Sequence, residues 1–369
     1  MRRAEIIVIG GGVMGSALAR ELARSGRDVV MLEKAVPGAE ASSAAAGILG
    51  AQAEAGGPGP FMDLCLKSRD LYEGFAAALR EETGVDICYR RSGLLKVAFD
   101  EQSQGWLDSI RAWQQEAGLP VEVLSGDDAR RKEPALSPEV SGALHFADDG
   151  IVDNRLLVQA LFRAAVTAGV SVISGETVRR VRIEGGKVRG VEMDGGPVDA
   201  PVVCLCAGSW SSLVPGTELP PDLVQPVRGQ MLAVRTPKGT LGRVVFTQEG
   251  YAVPRDDGRI IAGSTMEMAG FEKQVTVEGL RKLAGLLQKA IPAARDAEVI
   301  ETWAGLRPCT ADFLPVIGRT QTEGLFISTG HFRNGILLTP VSARLLRQLI
   351  NGETPDMSLE PFSINRFDV

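Results

Sequence analysis

The 369-residue sequence predicts two intertwined domains. One is a Rossmann-like α/β nucleotide-binding domain that is discontinuous in sequence, and the other is an α+β substrate domain built on an antiparallel sheet. The first observation is an apolar strand, Ile6–Ile9, that leads through a glycine-rich turn into a helix. The second is the same buried, parallel type of strand at Val202–Gly208 and Gly324–Gly330. The third is a series of short strands with glycine turns between these segments. We expect the nucleotide-binding domain at 1–87, 145–222 and 304–369, and the substrate domain at 88–144 and 223–303.

The opening strand is followed by a Gly-x-Gly-x-x-Gly motif formed by Gly10, Gly12 and Gly15. In a strand–turn–helix context, the first glycine permits the tight turn and the second lets a pyrophosphate approach the backbone, while the third lets helix and strand pack closely. The helix N-terminus supplies N–H donors and the positive end of a dipole. The next strand, Asp28–Leu32, ends at Glu33, whose carboxylate can accept both hydroxyls of an adenosine ribose. The motif in this context predicts a dinucleotide site.

Composition narrows the classes of function. Hydrophobic residues make up 44% of the sequence and charged residues 23%, which is ordinary for a globular enzyme. The net charge of −6 argues against a nucleic-acid-binding surface, which needs a basic face. No apolar run approaches the length of a transmembrane segment, and five scattered cysteines indicate a cytoplasmic protein rather than a disulfide framework. We expect no metal site, because the sequence has only two histidines and because Cys204 and Cys206, on one face of a strand, are typical of a core.

A passage rich in Gly, Ala, Ser and Pro runs from Pro37 to Pro60, soon after the second strand. This composition is typical of a flexible linker. The alternative is a loop held by a ligand, because small side chains let backbone N–H groups crowd against phosphates or a flat ring. A linker so early would precede most strands of its own sheet, so we favour the ligand loop.

The remaining elements are predicted from hydrophobic periodicity and turn residues. Helices are expected at Phe61–Thr83, Gln102–Ala117, from the N-cap Asp153 to Ala164, from Leu280 to Pro292, and in a closing helix with Thr339 and Pro340 in its cap and first turn. Strands are expected at Val178–Ile183, Val188–Met193, Gln230–Arg235, Val244–Thr247, Gly250–Pro254 and Arg259–Ser264, with a hairpin between Ile87–Tyr89 and Leu94–Phe99. The segment Trp303–Thr310 interrupts the pattern and puts Arg307 between a strand and a proline turn.

Several of these segments carry recognisable motifs. They are the opening glycine motif with Glu33, Cys206-Ala-Gly-Ser-Trp210, Gly250-Tyr-Ala-Val-Pro-Arg255, Gly263-Ser-Thr-Met266, Trp303-Ala-Gly-Leu-Arg-Pro308 and Gly330-His-Phe-Arg-Asn-Gly-Ile-Leu-Leu338. Together they resemble the D-amino acid oxidase superfamily over nearly the whole chain, and most of all its glycine oxidase family. The last two motifs are the most specific, because many flavoproteins share the glycine-rich start. The resemblance implies a non-covalent FAD, a small amino acid or amine as substrate, and O2 as electron acceptor.

The resemblance also implies which residues form the site. The expected FAD contacts are Gly10, Gly12, Val13, Met14, Gly15, Glu33, Lys34, Ser42, Ser43, Ala46, Gly47, Ile48, Val178, Ala207, Gly208, Trp210, Arg307, His331, Arg333, Asn334, Gly335, Ile336 and Leu337. Arg307 and Tyr251 are expected to clamp the substrate carboxylate, with Arg333 and Met266 beside the substrate. The guanidinium of an arginine can hold a carboxylate by two parallel hydrogen bonds.

Each of these assignments has an alternative. Arg307 can form a structural ion pair, Tyr251 can be a half-buried strand aromatic, and Met266 can be a core residue. Arg333 can face solvent or contact the flavin. His331 is interpreted as a loop anchor or flavin neighbour rather than a base.

Two residues limit the resemblance. Glu249 stands where glycine oxidases carry a histidine near the pocket, which puts the exact substrate in doubt. Cys309 lies in the region where sarcosine oxidases tether their flavin through a cysteine. Its spacing to Asp312 does not match that tether, so we expect FAD to be non-covalent.

The expected reaction is oxidative deamination of glycine or another small amino acid or amine. A hydride passes from the α-carbon to flavin N5, an imino acid forms, and O2 reoxidises the flavin with release of H2O2. Backbone amides at the start of the closing helix, around 334–337, are expected to stabilise the negative charge on the ring. The resemblance further implies supply of the glycine imine for the thiazole of thiamine, and a homo-oligomer, often a tetramer.

Three alternative functions remain at this stage. The chief one is an FAD-dependent D-amino acid or sarcosine dehydrogenase that uses a quinone or a protein as electron acceptor. A flavin subunit of a tRNA-modifying enzyme is disfavoured by the acidic net charge. A non-catalytic flavin-binding subunit is disfavoured because Tyr251 and Arg307 are both present.

Overall fold

The structure, a computed structural model, describes residues 2–367. Within that range the helices are α1 (Val13–Arg24), α2 (Ala41–Ala44), α3 (Pro60–Thr83), α4 (Glu101–Glu116), α5 (Gly126–Lys132), α6 (Asn154–Thr167), α7 (Val277–Ala290) and α8 (Gly335–Ile350). The strands are β1 (Arg2–Arg3), β2 (Ile6–Ile9), β3 (Val29–Glu33), β4 (Ile48–Leu49), β5 (Leu94–Ala98), β6 (Glu122–Ser125), β7 (Gly142–Phe146), β8 (Gly150–Ile151), β9 (Ser171–Ser174), β10 (Val178–Glu184), β11 (Lys187–Met193), β12 (Val198–Asp199), β13 (Val202–Leu205), β14 (Gln225–Arg235), β15 (Val244–Phe246), β16 (Tyr251–Pro254), β17 (Arg259–Gly263), β18 (Glu298–Cys309), β19 (Val316–Arg319) and β20 (Leu325–Thr329). The predicted helices at 61–83 and 102–117 therefore form within one residue of the expected bounds, and the helix capped by Asp153 extends three residues beyond the expected end at 164.

A six-stranded sheet joins the three segments that the sequence predicts to be parallel strands. Its strand order is β19-β20-β13-β2-β3-β9, and every pair is parallel except β19 with β20. Ile6 of β2 lies between Val202 of β13 and Val29 of β3. Residues distant in sequence thus meet in one Rossmann-like sheet, and the predicted fold class is confirmed.

Both faces of this sheet are covered, which explains why its strands are apolar throughout. Ile6, Val8 and Met31 face one layer, where they pack with side chains of α1, α3, α6 and α8. Ile7 and Val30 point the other way, into a core shared with a four-stranded sheet of order β1-β12-β11-β10. The hairpin of β10 and β11 within that sheet matches the prediction.

An eight-stranded sheet forms the second large unit, with strand order β18-β14-β17-β16-β15-β5-β7-β6. All its neighbours are antiparallel except β15 with β5. Two of its strands, β7 and β18, cross the boundaries predicted at 144/145 and 303/304. A domain boundary does not normally cut a strand, so these two boundaries would have to lie outside β7 and β18. The division into two domains stays a prediction.

The hairpin predicted between 87–89 and 94–99 does not form. Residues 87–89 lie outside the strands, and Cys88 has a φ of 53°. β5 pairs instead with β7 and β15, whose partner residues lie about 50 and 150 positions further along the chain. The local residue pattern correctly predicted that Leu94–Ala98 is a strand, but a local pattern cannot identify a partner strand so far away in sequence.

The prediction that Arg307 lies at the end of a strand was also wrong. Arg307 lies inside β18, whose Pro308 is opposite Pro226 of β14. β18 is the edge of its sheet, and an edge strand tolerates a residue without an N–H. The proline therefore does not end the strand.

Pro340 was predicted near the start of the closing helix, but α8 begins at Gly335 and Pro340 lies in its interior. Without an N–H, Pro340 cannot donate to the carbonyl of Ile336 one turn earlier. The hydroxyl of Tyr72 donates to that carbonyl instead, at 2.5 Å. A second hydroxyl, that of Ser68, donates to the next carbonyl, that of Leu337, at 2.6 Å. Tyr72 of α3 thus supplies the one donor that Pro340 removes from α8, and Ser68 adds a second contact beside it.

We expect Tyr72→Phe to lower the free energy of unfolding by about 1–3 kcal/mol, because it leaves the buried Ile336 carbonyl without a donor. Tyr89→Phe is the matched control. Its ring stacks on Tyr72 at 5.9 Å, but within residues 2–367 its hydroxyl has no hydrogen-bond partner. Urea unfolding measures both. Equal effects of the two substitutions would contradict the assigned role of the Tyr72 hydroxyl.

Candidate active site

A cavity of about 320 Å³ lies at the carboxyl ends of β2, β3 and β13 and continues under the eight-stranded sheet. Open parallel sheets bind ligands at this end of their strands. Most of the residues expected from the sequence line it: Gly10, Gly12, Val13, Met14, Glu33, Lys34, Ser42, Ala46, Gly47, Ile48, Val178, Ala207, Gly208, Trp210, Tyr251, Arg307, His331, Arg333, Gly335 and Ile336. The structure also adds residues that the sequence did not assign to the site, among them Glu54, Thr177, Leu213, Met231 and Ser264.

Five expected residues do not line this cavity: Gly15, Ser43, Asn334, Leu337 and Met266. Gly15 and Leu337 have packing roles, since a Cβ on Gly15 would lie 1.8 Å from the Gly10 carbonyl oxygen and Leu337 is buried in the core. The hydroxyl of Ser43 donates to the carbonyl of Gly38 at 2.7 Å. Asn334 is the buried N-cap residue of α8. Met266 lines a neighbouring cavity described below.

The glycine turn at the start of the cavity has the geometry that a dinucleotide requires. Gly10 has a φ of +105°, and a Cβ there would lie 2.4 Å from the carbonyl oxygen of Cys206. The N-cap of α1, Gly12, has no side chain to cap the helix, so the first-turn amides face the cavity. One of them, Val13 N–H, donates to the hydroxyl of Ser42 at 3.1 Å. This N–H group thus already donates to an oxygen atom, and a phosphate oxygen is an acceptor of the same kind.

Glu33 lies at the end of β3, as the motif predicts. Its carboxylate accepts hydrogen bonds from the backbone N–H groups of Gly11 at 2.8 Å and Ala35 at 3.0 Å. These bonds hold the carboxylate at the cavity wall and leave it acceptor capacity for ribose hydroxyls. The turn, the helix N-terminus and this acid together fit an adenine dinucleotide.

The small-residue loop after β3 is held by three side chains rather than being a linker. The amide of Asn154 donates to two carbonyls of residues 42–46, at 2.9 and 3.0 Å. Arg255 donates to a third at 2.9 Å, and the indole N–H of Trp303 donates to a fourth at 3.0 Å. Arg255 and Trp303 belong to the region of the eight-stranded sheet, whereas Asn154 begins α6. The loop therefore joins the two large units along the cavity.

Arg307 lies where the cavity runs under the eight-stranded sheet. Its guanidinium donates to the hydroxyl of Ser264 and, at 3.3 Å, to the carbonyl of Thr265. Across residues 2–367 no carboxylate is within ion-pair distance of it, so the structural ion pair considered above is wrong. Burial lowers the pKa of Arg307, although the side chain remains charged. A Cβ on Gly229 would lie 2.3 Å from the guanidinium nitrogens, so a larger residue there would displace the guanidinium.

Tyr251 is the neighbour of Arg307 in this part of the cavity. Its hydroxyl stabilises the charged form of Arg307 and so raises the pKa of that guanidinium, against the effect of burial. The hydroxyl also lies 3.9 Å from the sulfur of Met231, which is a weak acceptor. Its ring is buried and packs edge-on against Phe246 at 5.6 Å. The ring thus packs in the core, while the hydroxyl stands beside a cation that has no carboxylate partner.

Arg333, by contrast, has a carboxylate partner. Its guanidinium donates to the Oε1 atom of Glu54 at 2.9 and 3.1 Å, and the side chain of Glu54 is only 6% exposed. The loop before Glu54 is anchored by the fully buried Asp149, which accepts from the backbone N–H of Ala53 at 2.8 Å. Sequence reasoning missed Glu54 because it stands in a Gly/Ala-rich stretch, and only the tertiary contact with Arg333 distinguishes it.

His331 and Cys309 are held away from reactivity. His331 is fully enclosed, so burial lowers its pKa to about 3 and the ring is neutral at physiological pH. Its Nε2 atom lies 3.2 Å from the hydroxyl of Ser342, which agrees with a loop anchor better than with a base. Cys309 does not line the cavity, and burial raises the pKa of its thiol. A protonated thiol outside the cavity favours a cofactor that is not covalently attached.

A second cavity, of about 740 Å³, opens from the first and shares with it the wall formed by Tyr251, Arg307, Arg333, Glu54 and Ser264. Met266 and Glu249 also line it. Met266 is 66% exposed, so its interpretation as a core residue is wrong. The carboxylate of Glu249 accepts a hydrogen bond from the hydroxyl of Thr247 at 2.9 Å. A small molecule in this cavity would meet the open end of the first cavity at Arg307.

Comparison with known proteins agrees with this geometry. Residues 5–349 match the family described as DAO, FAD dependent oxidoreductase. The chain is 36% identical to a glycine oxidase of Geobacillus kaustophilus over 369 residues, which cover 99% of this chain and 97% of that protein. The crystal structure of glycine oxidase from the same species superposes with a TM-score of 0.95 at 34% identity and covers 99% of each chain.

The chain is also 37% identical over 370 residues to the bifunctional protein ThiO/ThiG of Synechocystis sp.. The match covers 98% of this chain but only 54% of that protein, so this chain spans about half of the bifunctional relative.

No helix in the described part of the chain is both long and apolar enough to cross a membrane. The family match covers the glycine motif, both cavities and most of α8, and the dinucleotide geometry of the first cavity fits FAD. The chain therefore belongs to the DAO family of FAD-dependent oxidoreductases, and its cofactor is FAD.

Proposed function

We propose that this chain oxidises glycine, or another small amino acid or amine, to the corresponding imino acid, with O2 as electron acceptor and H2O2 as product. The observation that carries the proposal is the Arg307 guanidinium. It lies without a carboxylate partner, among the described residues, at the junction of the two cavities and beside the hydroxyl of Tyr251. A desolvated cation of this kind favours a carboxylate ligand.

The first cavity would hold FAD through the residues that line it. The amides at the start of α1 would receive the pyrophosphate, and Glu33 would receive the adenosine ribose. The anchored loop 42–48 and residues 207–210 would line the rest of the cofactor. Bound FAD supplies a two-electron acceptor for the α-C–H bond of the substrate.

Arg307 and Tyr251 would bind the substrate carboxylate and so fix the position of the α-carbon. The substrate amine would react in its neutral form without a strong base from the chain. His331 is enclosed and bonded to Ser342, and the carboxylate of Glu54 is engaged by Arg333. The N-terminal turn of α8, which includes Gly335, faces the cavity with the positive end of its dipole, where it can stabilise negative charge.

The relatives support glycine as substrate and a place in the synthesis of the thiamine thiazole, since their names are glycine oxidase and ThiO/ThiG. We further propose a cytoplasmic homo-oligomer, by resemblance to the family. Glu249, at the wall of the second cavity, is the first residue to examine if glycine proves a poor substrate.

Anaerobic reduction tests the proposal directly. Glycine, sarcosine and D-alanine are added in turn to the oxidised protein, and the flavin absorbance is followed before and after air is admitted. Bleaching by glycine, followed by rapid recovery and H2O2 release in air, is expected. Bleaching with slow recovery in air would instead indicate a dehydrogenase, and a failure of all three amines to bleach the flavin would overturn the proposed substrate class.

We expect Arg307→Ala to raise the KM for glycine about 100-fold or more, because it removes two charge-assisted hydrogen bonds to the carboxylate. Arg281→Ala is the control, since Arg281 lies at the exposed rim of the second cavity and pairs with Glu278. Steady-state kinetics on protein of equal FAD content provides the comparison. An unchanged KM in Arg307→Ala would remove the clamp assignment.

Tyr251→Phe should lower kcat/KM for glycine by about 10- to 100-fold, because it removes one hydrogen bond to a charged carboxylate. The ring and its packing on Phe246 are kept, so thermal stability should change little. Tyr89→Phe serves as the control, because Tyr89 lines neither cavity. If both variants retain full kcat/KM, the Tyr251 hydroxyl does not contact the substrate.

A further inference from the structure

One charged residue of the recognised motifs lines neither cavity and has no part in the proposed reaction. Arg255 ends the motif Gly250–Arg255 and lies directly after β16. Only 8% of the residue is exposed. Its shortest hydrogen bond is to the backbone carbonyl of Ala46, at 2.9 Å, and Ala46 lines the FAD cavity. A buried guanidinium thus donates to the back of the cavity wall.

The charge of Arg255 is only loosely balanced. Its carboxylate neighbour is Asp153, whose Oδ2 atom lies 3.5 Å from the Nε atom of Arg255, longer than a good hydrogen bond. Asp153 is also shared, because its Oδ1 atom caps α6 and because the guanidinium of Arg259 lies 3.8 Å from its Oδ2 atom. Burial lowers the pKa of Arg255 to about 10, so the side chain is charged at neutral pH.

The acceptor of this guanidinium belongs to the peptide group between Ala46 and Gly47. The N–H group of the same peptide is that of Gly47, which is buried and lines the FAD cavity. Within residues 2–367 this N–H group has no hydrogen-bond acceptor. Buried backbone donors are almost always satisfied, so we expect an acceptor on the bound cofactor.

The orientation of this peptide is fixed from two sides. Gly47 has a φ of +74°, and a Cβ there would lie 2.0 Å from the carbonyl oxygen of Val152. The carbonyl of Gly47 accepts from the N–H of Val152 at 2.8 Å. Arg255 holds the carbonyl of Ala46 on the other side. The Gly47 N–H group is therefore held in place before the cofactor binds.

The position of the peptide indicates which part of FAD meets it. Glu33 and the start of α1 are suited to the adenosine ribose and the pyrophosphate. Ala46 packs instead in the same core cluster as Tyr251, a residue of the wall that the two cavities share. The flavin ring must lie at that wall to reach a substrate. The acceptor expected at Gly47 is therefore an atom of the flavin ring.

A cation bonded to the carbonyl of a peptide strengthens the N–H donor of that peptide, because hydrogen bonds in series polarise one another. Reduction adds negative charge to the flavin ring, and a nearby cation shielded from water stabilises that charge. We propose that Arg255 is a positioning residue that acts on the flavin ring through the Ala46–Gly47 peptide and raises the midpoint potential of bound FAD. This inference rests on the cofactor and is independent of the substrate.

Redox titration of the FAD-bound protein against a dye of known potential measures the effect without substrate. We expect Arg255→Met to weaken the binding of reduced FAD relative to oxidised FAD about tenfold, which lowers the midpoint potential by about 30 mV. Arg255→Lys, which keeps the charge, should retain most of the wild-type potential. Arg255→Gln, which keeps an amide donor without the charge, should resemble Arg255→Met and provides the comparison if that variant does not fold.

Arg259→Met is the matched control. Arg259 begins β17, lines neither cavity, and pairs with Asp257 at 2.7 Å. It should keep the wild-type potential. An unchanged potential in the uncharged variants of Arg255, or an equal fall in Arg259→Met, would overturn the proposal.

The affinity for oxidised FAD separates this role from a purely structural one. Dilution of the FAD-bound protein releases oxidised FAD, whose fluorescence gives its Kd. A residue that only holds the backbone would weaken oxidised and reduced FAD equally. A higher Kd for oxidised FAD in Arg255→Met at an unchanged midpoint potential would therefore also overturn the proposal. Because no amine is added, the result stands whether or not glycine proves to be the substrate.

Discussion

The site depends on the way in which the small residues at 42–46, the end of α2 and the two residues after it, are held. Their carbonyls receive hydrogen bonds from Asn154, Arg255 and Trp303, which come from the helical layer and from the region of the eight-stranded sheet. A segment of serine and alanine has little side-chain surface of its own to bury, and ordering its backbone is entropically unfavourable. Three directed donors compensate that cost, because they satisfy carbonyls that would otherwise be desolvated. The same contacts set the two large units at the spacing that leaves room for a cofactor.

The charges around the two cavities are divided into paired and unpaired cations. Arg228 and Arg333 each contact a carboxylate, whereas Arg307 and Lys96 have none among the described residues. Because an unpaired buried cation is unfavourable in the free protein, a ligand anion gains more by meeting it than by meeting a cation that is already neutralised. Hydrogen bonds to neutral acceptors for Arg307, and aromatic rings for Lys96, keep both side chains in place without neutralising them. This division favours anionic substrates over neutral amines.

The sequence predictions that failed share one cause. The hairpin at 87–99, the end of the strand at Arg307 and the late start of α8 were each inferred from neighbours within about ten residues. In the structure each is decided by a distant partner: β7 and β15 for β5, β14 for β18, and the hydroxyls of α3 for α8. Proline in particular was interpreted as a terminator at 308 and 340. At both positions the missing N–H is tolerated, at an edge strand in one case and through the Tyr72 hydroxyl in the other.

Elements whose signal is local can be predicted from the amino-acid sequence alone. The glycine turn requires Gly10, Gly12 and Gly15 for steric reasons, the strands of the parallel sheet are apolar because both faces are buried, and Glu33 follows its strand at the spacing of the motif. The pairing of charges, by contrast, arises only when the chain is folded. Glu54 lies beside Arg333, and Lys96 lies beside the rings of Trp106 and Phe246, only because strands and loops distant in sequence converge. Electrostatic partnership depends on distances in space, and no local pattern of residues encodes those distances.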